Sequence, residues 1–122
     1  MHIAERRRGD ASVLLQKKRY DGAVYLGGYV IECLLKAAIC QWIGAERLPE
    51  RYMTHDLNWL REQAALVMEP RLRKSWRDVA IWDVTARYSS QVISAQSARQ
   101  FINAMEVIRR WLLEVIQQRE RR

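Results

Sequence analysis

The sequence predicts an all-α protein, a single-domain bundle of about five helices over residues 1–122. Apolar residues recur every three or four positions in each apolar segment, which is the period of a helix with one buried face. Residues that break helices are few, with five glycines and two prolines in the chain. A chain of this length suits one domain that buries about two-thirds of its unfolded surface.

The central helix is predicted at 22–43, where the apolar spacing is most regular. Asp21 is a candidate N-cap for this helix, and Gly44 stands at its C-terminal end in the position that glycine favours. Its periodic apolar positions are Ala23, Leu26, Val30, Leu34 and Ala37. A second line of side chains on the same helix is polar, and in it Glu32 precedes Lys36 by four residues, the favourable order for an ion pair.

Four further helices are predicted from the same apolar spacing. Thr54 is expected to cap the third helix, and Ser94 or Ser97 the last. Pro70 suits the first position of the fourth helix, because its missing N–H has no partner there in any case. The predicted ranges are 3–19, 54–67, 70–84 and 95–118.

The sequence also predicts a homodimer. Gly27 and Gly28 lie inside the central helix at a cost of about 1 kcal/mol each against alanine, so another helix is expected to pack closely there. On the last helix, Ala104, Val107 and Trp111 form an apolar stripe beside the main one. A helix that is apolar on two sides needs two partners, and these five residues are therefore the candidate interface.

Charge and cysteine content limit the class of protein. Lysine and arginine number 21 against 14 acidic residues, a net charge of +7, which favours acidic partners such as RNA, DNA or nucleotides. The same charge also fits a bundle with an ordinary solvated surface. Cys33 and Cys40 are about 10 Å apart along one helix, too far for a disulfide, and without a Cys or His cluster no metal or cofactor is predicted.

A membrane location is not expected. The N-terminus lacks the apolar stretch of a signal peptide. Residues 23–43 are apolar enough to cross a membrane, but Glu32 and Lys36 near the middle would each cost about 3 kcal/mol in lipid. The predicted location is therefore the cytoplasm.

Several segments, taken in order, resemble the HEPN family of helical domains. They are Arg19-Tyr20-Asp21 with Ala23, Tyr29-Val30-Ile31-Glu32, Leu35-Lys36-Ala37, Thr54-His55-Asp56-Leu57 with Leu60, and Ala86-Arg87-Tyr88. The resemblance covers nearly the whole chain. It implies an up-and-down helical bundle that is commonly dimeric, and it suggests RNA, a nucleotide or a minimal nucleotidyltransferase protein as partner, in a toxin-antitoxin or defence system.

Many HEPN proteins are metal-independent ribonucleases whose signature is an arginine followed, after four to six residues, by a histidine. The best-placed arginine is Arg87, and the matching positions hold Val92, Ile93 and Ser94. This sequence therefore departs from the family at its catalytic motif. A ribonuclease toxin with an atypical site around His55 and Arg87 is the alternative hypothesis.

The candidate binding residues are Tyr29, Glu32, Lys36, His55 and Arg87. One interpretation is a buried structural network, because charges among apolar residues have to be hydrogen-bonded. The other is a contact with RNA or nucleotide phosphate. The function predicted from the sequence is a non-catalytic binding or accessory module, with a purely structural helical dimerisation domain as a further alternative.

Overall fold

The fold is an all-α bundle, as predicted, and a computed structural model of the chain describes residues 2–82 and 93–121. The α-helices are α1 (His2–Gln16), α2 (Tyr20–Ile43), α3 (Leu57–Gln63), α4 (Arg73–Ala80) and α5 (Ala95–Glu120). Two short 3₁₀ helices, Glu50–Tyr52 and Pro70–Leu72, precede α3 and α4. These two described segments contain no β-strand.

Helix α2 is the centre of the bundle. It packs most extensively against α1 and α5, while α3 contacts it more briefly and α4 packs against α5. Of the five periodic apolar positions of α2, Val30, Leu34 and Ala23 are buried, and Leu26 and Ala37 are half-buried. This face of α2 meets the buried stripe of α5, which includes Met105, Ile108 and Leu112.

The glycine pair of α2 lets neighbouring elements approach closely within the chain itself. A Cβ on Gly27 would lie 3.0 Å from Cδ1 of Ile102 and 3.2 Å from the ring of Phe101, both on α5. A Cβ on Gly28 would lie 2.0 Å from the indole of Trp82. The close packing that these glycines predict is confirmed, and the partner elements belong to the same chain.

The candidate interface residues on α5 are mostly buried in the same way. Ala104 and Trp111 are each 5% exposed, whereas Val107 is 39% exposed. The apolar residues on two sides of α5 predict two partners for this helix. Helix α5 has two such partners within the chain itself, α2 and α4. The homodimer stays a prediction, and of the five proposed interface residues only Val107 presents much surface for it.

Several predicted boundaries are wrong for local backbone reasons. Helix α1 ends at Gln16 rather than at 19, and Lys18 follows with a left-handed φ of 61°. Asp21 does not cap α2, because the helix already begins at Tyr20. The Asp21 carboxylate instead accepts a hydrogen bond of 3.2 Å from the backbone N–H of Ile93, which precedes α5.

The third helix is shorter than its predicted range of 54–67. Its N-cap is Asp56 rather than Thr54, and the Asp56 carboxylate accepts from the backbone N–H of Trp59 at 3.1 Å. Ala65 then adopts a left-handed φ of 53°, which ends the helical path. Arg119 of α5 donates to the carbonyl oxygens of Ala64 at 2.9 Å and Ala65 at 3.0 Å, so this turn is bound to the last helix.

Two other predicted helix ends are confirmed. Gly44 has φ 70° and closes α2, and its backbone N–H bonds to carbonyl oxygens of the last turn. Ser94 is the cap of α5, since its side chain accepts from the backbone N–H of Ser97 at 3.1 Å. The fourth predicted helix, 70–84, consists of the 3₁₀ turn and α4 up to Ala80, and residues 83 and 84 lie outside the described residues.

Helix α2 is long and apolar enough to cross a membrane by length and composition. Most of that apolar stretch is buried inside the bundle, which is also typical of the core helix of a soluble protein. Both cysteines are free thiols, as their spacing predicts.

Candidate functional site

The candidate site is built around the carboxylate of Glu32, which lies in the middle of α2. Its residue exposure is 3%, and it is the one charged residue buried within the described parts of the chain. Its Oε2 accepts a hydrogen bond of 3.1 Å from Nζ of Lys36, one helical turn later. Its Oε1 lies 2.5 Å from Nδ1 of His55. Each oxygen of the carboxylate therefore has its own nitrogen partner.

His55 reaches α2 from the connection between the first 3₁₀ helix and α3. Tyr52 precedes it and Leu57 follows it, and both are buried, at 5% and 1% exposure. The cap at Asp56 fixes the backbone direction between them. With a buried anchor on each side, the histidine is held against Glu32 while 42% of its side chain remains exposed.

Aromatic rings cover one side of the site. The ring of Tyr29 meets the imidazole of His55 edge-to-face at a centroid distance of 6.1 Å, and it meets the indole of Trp82 in the same way at 5.5 Å. Tyr25, one turn earlier, packs edge-on against Tyr29 at 5.2 Å. The rings limit the positions that the imidazole can take, because edge-to-face contacts favour particular orientations.

The short contact with Glu32 also orients the histidine chemically. An ionised carboxylate can only accept hydrogen bonds, so the proton of a neutral imidazole belongs on Nδ1. Nε2 is then left as an acceptor, and it becomes a second donor when the ring is protonated. No residue in the described ranges occupies Nε2 of His55. The arrangement can therefore bind a phosphate oxygen or exchange a proton at Nε2.

Cys33 lies next to Glu32 but offers no nucleophile. Burial raises the pKa of its thiol, and the negative charge of Glu32 raises it further. The group therefore stays protonated and weakly reactive. Among the described residues, no group of three His, Cys, Asp or Glu side chains could hold a metal ion.

Four of the five residues predicted for the site come together in the structure: Tyr29, Glu32, Lys36 and His55. Arg87, the fifth, lies outside the described residues.

A second charged cluster joins α1 to α5. Arg8 donates from Nε to Oε1 of Glu106 at 2.6 Å, and Arg109 donates to Oε2 of Glu106 at 3.3 Å and to Glu5 at 3.1 Å. Burial acts to raise the pKa of Glu106, but the hydrogen bonds from both arginines outweigh it and the pKa is lowered. The contacts between α1 and α5 join residues 98 and 104 positions apart, so the sequence carried no local signal for them.

The family model described as the HEPN domain matches residues 1–116. The chain belongs to the HEPN family. The matched range covers α1 to α4 and most of α5. Comparison with curated proteins and with solved structures finds no similar protein.

Within this HEPN domain, His55 is the histidine that the fold brings to a polar cluster. The chain has two histidines, and neither follows an arginine at the spacing of the family's ribonucleases, since positions 48–50 before His55 hold Leu48, Pro49 and Glu50. The partner of His55 is instead a buried carboxylate on α2.

Proposed function

We propose that this HEPN domain is a non-catalytic binding module for RNA or a nucleotide, with His55 as a phosphate contact. The observation that carries the proposal is the 2.5 Å contact between Nδ1 of His55 and the buried Glu32 carboxylate, while 42% of the histidine side chain remains exposed. A histidine fixed on one nitrogen and open at the other is ready to donate to an anion once it is protonated.

The charge of the chain supports an anionic ligand. The net charge is +7, and association with a polyanion would release counterions and weaken steeply with salt. Lys36 is 19% exposed at the side chain, so its ammonium group shares the cluster with only limited contact to water. Its charge lowers the cost of bringing a phosphate close to Glu32.

Catalysis is not part of the proposal. Cleavage of RNA by acid–base chemistry needs a titrating group together with a second group that stabilises the phosphate in the transition state. The arginine that supplies this in HEPN ribonucleases is not at the required spacing before either histidine of this chain. As accessory roles, we propose association with a nucleotidyltransferase partner and membership of a toxin-antitoxin or defence system.

Binding of a labelled single-stranded RNA and of ATP, followed by fluorescence polarisation and by thermal shift, tests the proposal. His55→Ala should weaken RNA or ATP binding about five- to tenfold, the value of one charge-assisted hydrogen bond. His2→Ala is the matched control, because it removes the other histidine from an exposed position at the start of α1. If His55→Ala binds RNA and ATP as the parent does, the proposal is contradicted. If this variant also melts at a lower temperature than the parent, the contact between His55 and Glu32 is part of a structural network.

Incubation of the same RNA with the protein in EDTA tests the ribonuclease hypothesis separately. We expect the RNA to remain intact. Cleavage that disappears in both His55→Ala and Arg87→Ala would overturn the non-catalytic proposal and support the atypical ribonuclease site.

A further inference from the structure

A groove between α3 and α4, away from Glu32 and His55, carries three arginines. Arg61 of α3 faces Arg73 and Arg77 of α4 across a space of about 570 Å³. Arg73 and Arg77 are four residues apart, so their side chains lie on one face of α4. Both are exposed, and none of the three arginines forms an ion pair within the described ranges.

One wall of this groove orients a guanidinium group. Arg61 places its guanidinium carbon 5.2 Å from the centre of the Trp76 ring, and the Trp76 indole N–H donates to Oδ1 of Asn58 at 2.8 Å. Nε of Arg61 is buried and has no acceptor in the part of the chain that the structure describes. Because this nitrogen is closed off from solvent, Arg61 can offer a ligand only the N–H groups at the end of its guanidinium.

The other wall is apolar and held in place. It consists of Leu66, Val67 and Met68, of which Val67 is 89% exposed. These residues follow the left-handed turn at Ala65, whose carbonyl oxygen accepts a hydrogen bond from Arg119 of α5. This hydrogen bond ties the turn to α5. The three apolar residues that follow the turn are therefore held beside the arginines in a fixed arrangement.

We propose that this arginine groove binds an acidic segment of a partner protein that carries a large apolar side chain between its carboxylates. Arginine pairs with carboxylates through two parallel hydrogen bonds, and arginine is enriched at the centres of protein interfaces. The apolar wall needs an apolar partner, which a sugar-phosphate backbone does not supply. Trp76 is only 5% exposed, so it offers no open face for stacking a base. Charge and apolar lining together therefore favour a peptide over RNA. The inference is independent of the proposed role of His55.

The test uses short labelled synthetic peptides with the intact protein. One alternates glutamate and leucine, one alternates glutamate and serine, and one alternates lysine and leucine, with single-stranded RNA as a fourth probe. The glutamate–leucine peptide should bind best, and the double variant Arg73→Ser/Arg77→Ser should lose about tenfold in its affinity. Val67→Ser should weaken binding of this peptide and leave the glutamate–serine peptide unchanged.

The matched control is Arg6→Ser/Lys17→Ser, which removes the same charge from exposed positions on and after α1. It should bind the glutamate–leucine peptide as the parent does. An equal loss in this control would show that net charge alone attracts the peptide and would overturn the proposal. Failure of every acidic peptide to bind would overturn it as well.

RNA binding separates this proposal from the proposed function. If the groove is a peptide site, Arg73→Ser/Arg77→Ser should bind RNA with about the same affinity as the control Arg6→Ser/Lys17→Ser. If His55 is a phosphate contact, His55→Ala should bind the glutamate–leucine peptide as the parent does. Specific loss of RNA binding in the α4 variant, with weak peptide binding in the parent, would reassign the groove to nucleic acid and overturn the inference.

Discussion

At the scale of single residues, Glu32 divides one carboxylate between two partners. Had Lys36 been its only partner, the loss of the lysine would have left an unpaired charge in the core. His55 reduces this cost, because Oε1 keeps a hydrogen-bond partner when Lys36 is removed. A neutral imidazole supplies no positive charge, however, so the lysine contributes both a hydrogen bond and the charge that compensates the buried carboxylate.

Lys36→Met should lower the free energy of unfolding by about 3 kcal/mol, because it removes a hydrogen bond and the positive charge paired with a buried carboxylate while His55 still contacts Oε1. The comparison is a pair of thermal melts with and without RNA. Lys74→Met, which removes an exposed lysine from α4, is the control and should melt as the parent does. An unchanged melting temperature in Lys36→Met, together with lost stabilisation by RNA, would show that the lysine serves the ligand and not the fold.

Gly28 is the second residue with a measurable role. Gly28→Ala would place a methyl group 2.0 Å from the rigid indole of Trp82, so the ring has to move and the loss should be about 1–3 kcal/mol. Gly9→Ala is the matched control, since nothing lies within 4 Å of the added carbon on α1. Alanine there should stabilise the chain by up to about 1 kcal/mol. Urea unfolding of both variants checks this, and equal stabilities would contradict the close approach.

At the scale of elements, α1 and α5 are joined by the carboxylate of Glu106. Hydrogen bonds from Arg8 and Arg109 hold the pKa of this group below its usual value in the folded chain despite its burial. A carboxylate with a lowered pKa stabilises the fold above its unfolded pKa, and this stabilisation disappears as the pH falls through the folded pKa.

Glu106→Gln should therefore cost about 1–2 kcal/mol near neutral pH, and the difference from the parent should shrink in acid. Glu114→Gln on the same helix is the control, because Glu114 is exposed and has no ion-pair partner among the described residues. Chemical denaturation at several pH values gives the difference directly. A difference that stays constant down to strongly acidic pH would contradict the assignment of the stabilisation to the ionised carboxylate.

The long helices were predictable from sequence, whereas the short ones were not. Helices α2 and α5 have many turns of regular apolar spacing. Helix α2 ends at Gly44 and α5 begins after Ser94, as the capping chemistry of these two residues predicts. Helix α3 is only seven residues long, and its end depends on Ala65, a residue with no intrinsic preference for a left-handed φ. The turn at Ala65 also accepts hydrogen bonds from Arg119, which is 54 positions away along the chain. Local propensity gives no information about a partner at that distance.

The candidate site was predictable in its members but not in its contacts. Spacing on one helix indicated the pair of Glu32 and Lys36. The contact between Glu32 and His55 spans 23 positions and depends on the path of an irregular connection. The arginine groove depends on the packing of α3 beside α4 and was not predicted.

At the scale of the whole molecule, the homodimer is the open prediction. Val107→Glu should convert a dimer to a monomer that unfolds like the dissociated parent at low concentration, because Val107 is 39% exposed in the single chain. Trp111→Glu should instead destabilise the fold, since a 5% exposed indole would be replaced by a buried charge. Sedimentation velocity and thermal melts distinguish these outcomes. Val67→Glu, on the apolar wall of the arginine groove, is the control for an added surface charge.

A monomeric parent at high concentration would contradict the dimer. Equal loss of the dimer in Val67→Glu would show that an added surface charge breaks the dimer wherever it is placed, and would remove the support for an interface on α5. A dimer that survives Val107→Glu would likewise exclude this part of the last helix from the interface.

The position of α5 also determines when the protein can finish folding during its synthesis. Arg8 and Glu106 are 98 positions apart, and α5 packs against both α2 and α4. While the ribosome is still adding α5, the preceding helices can associate but must leave their apolar faces open to water. This domain is therefore most dependent on chaperones, and most vulnerable to proteases, just before α5 emerges from the exit tunnel.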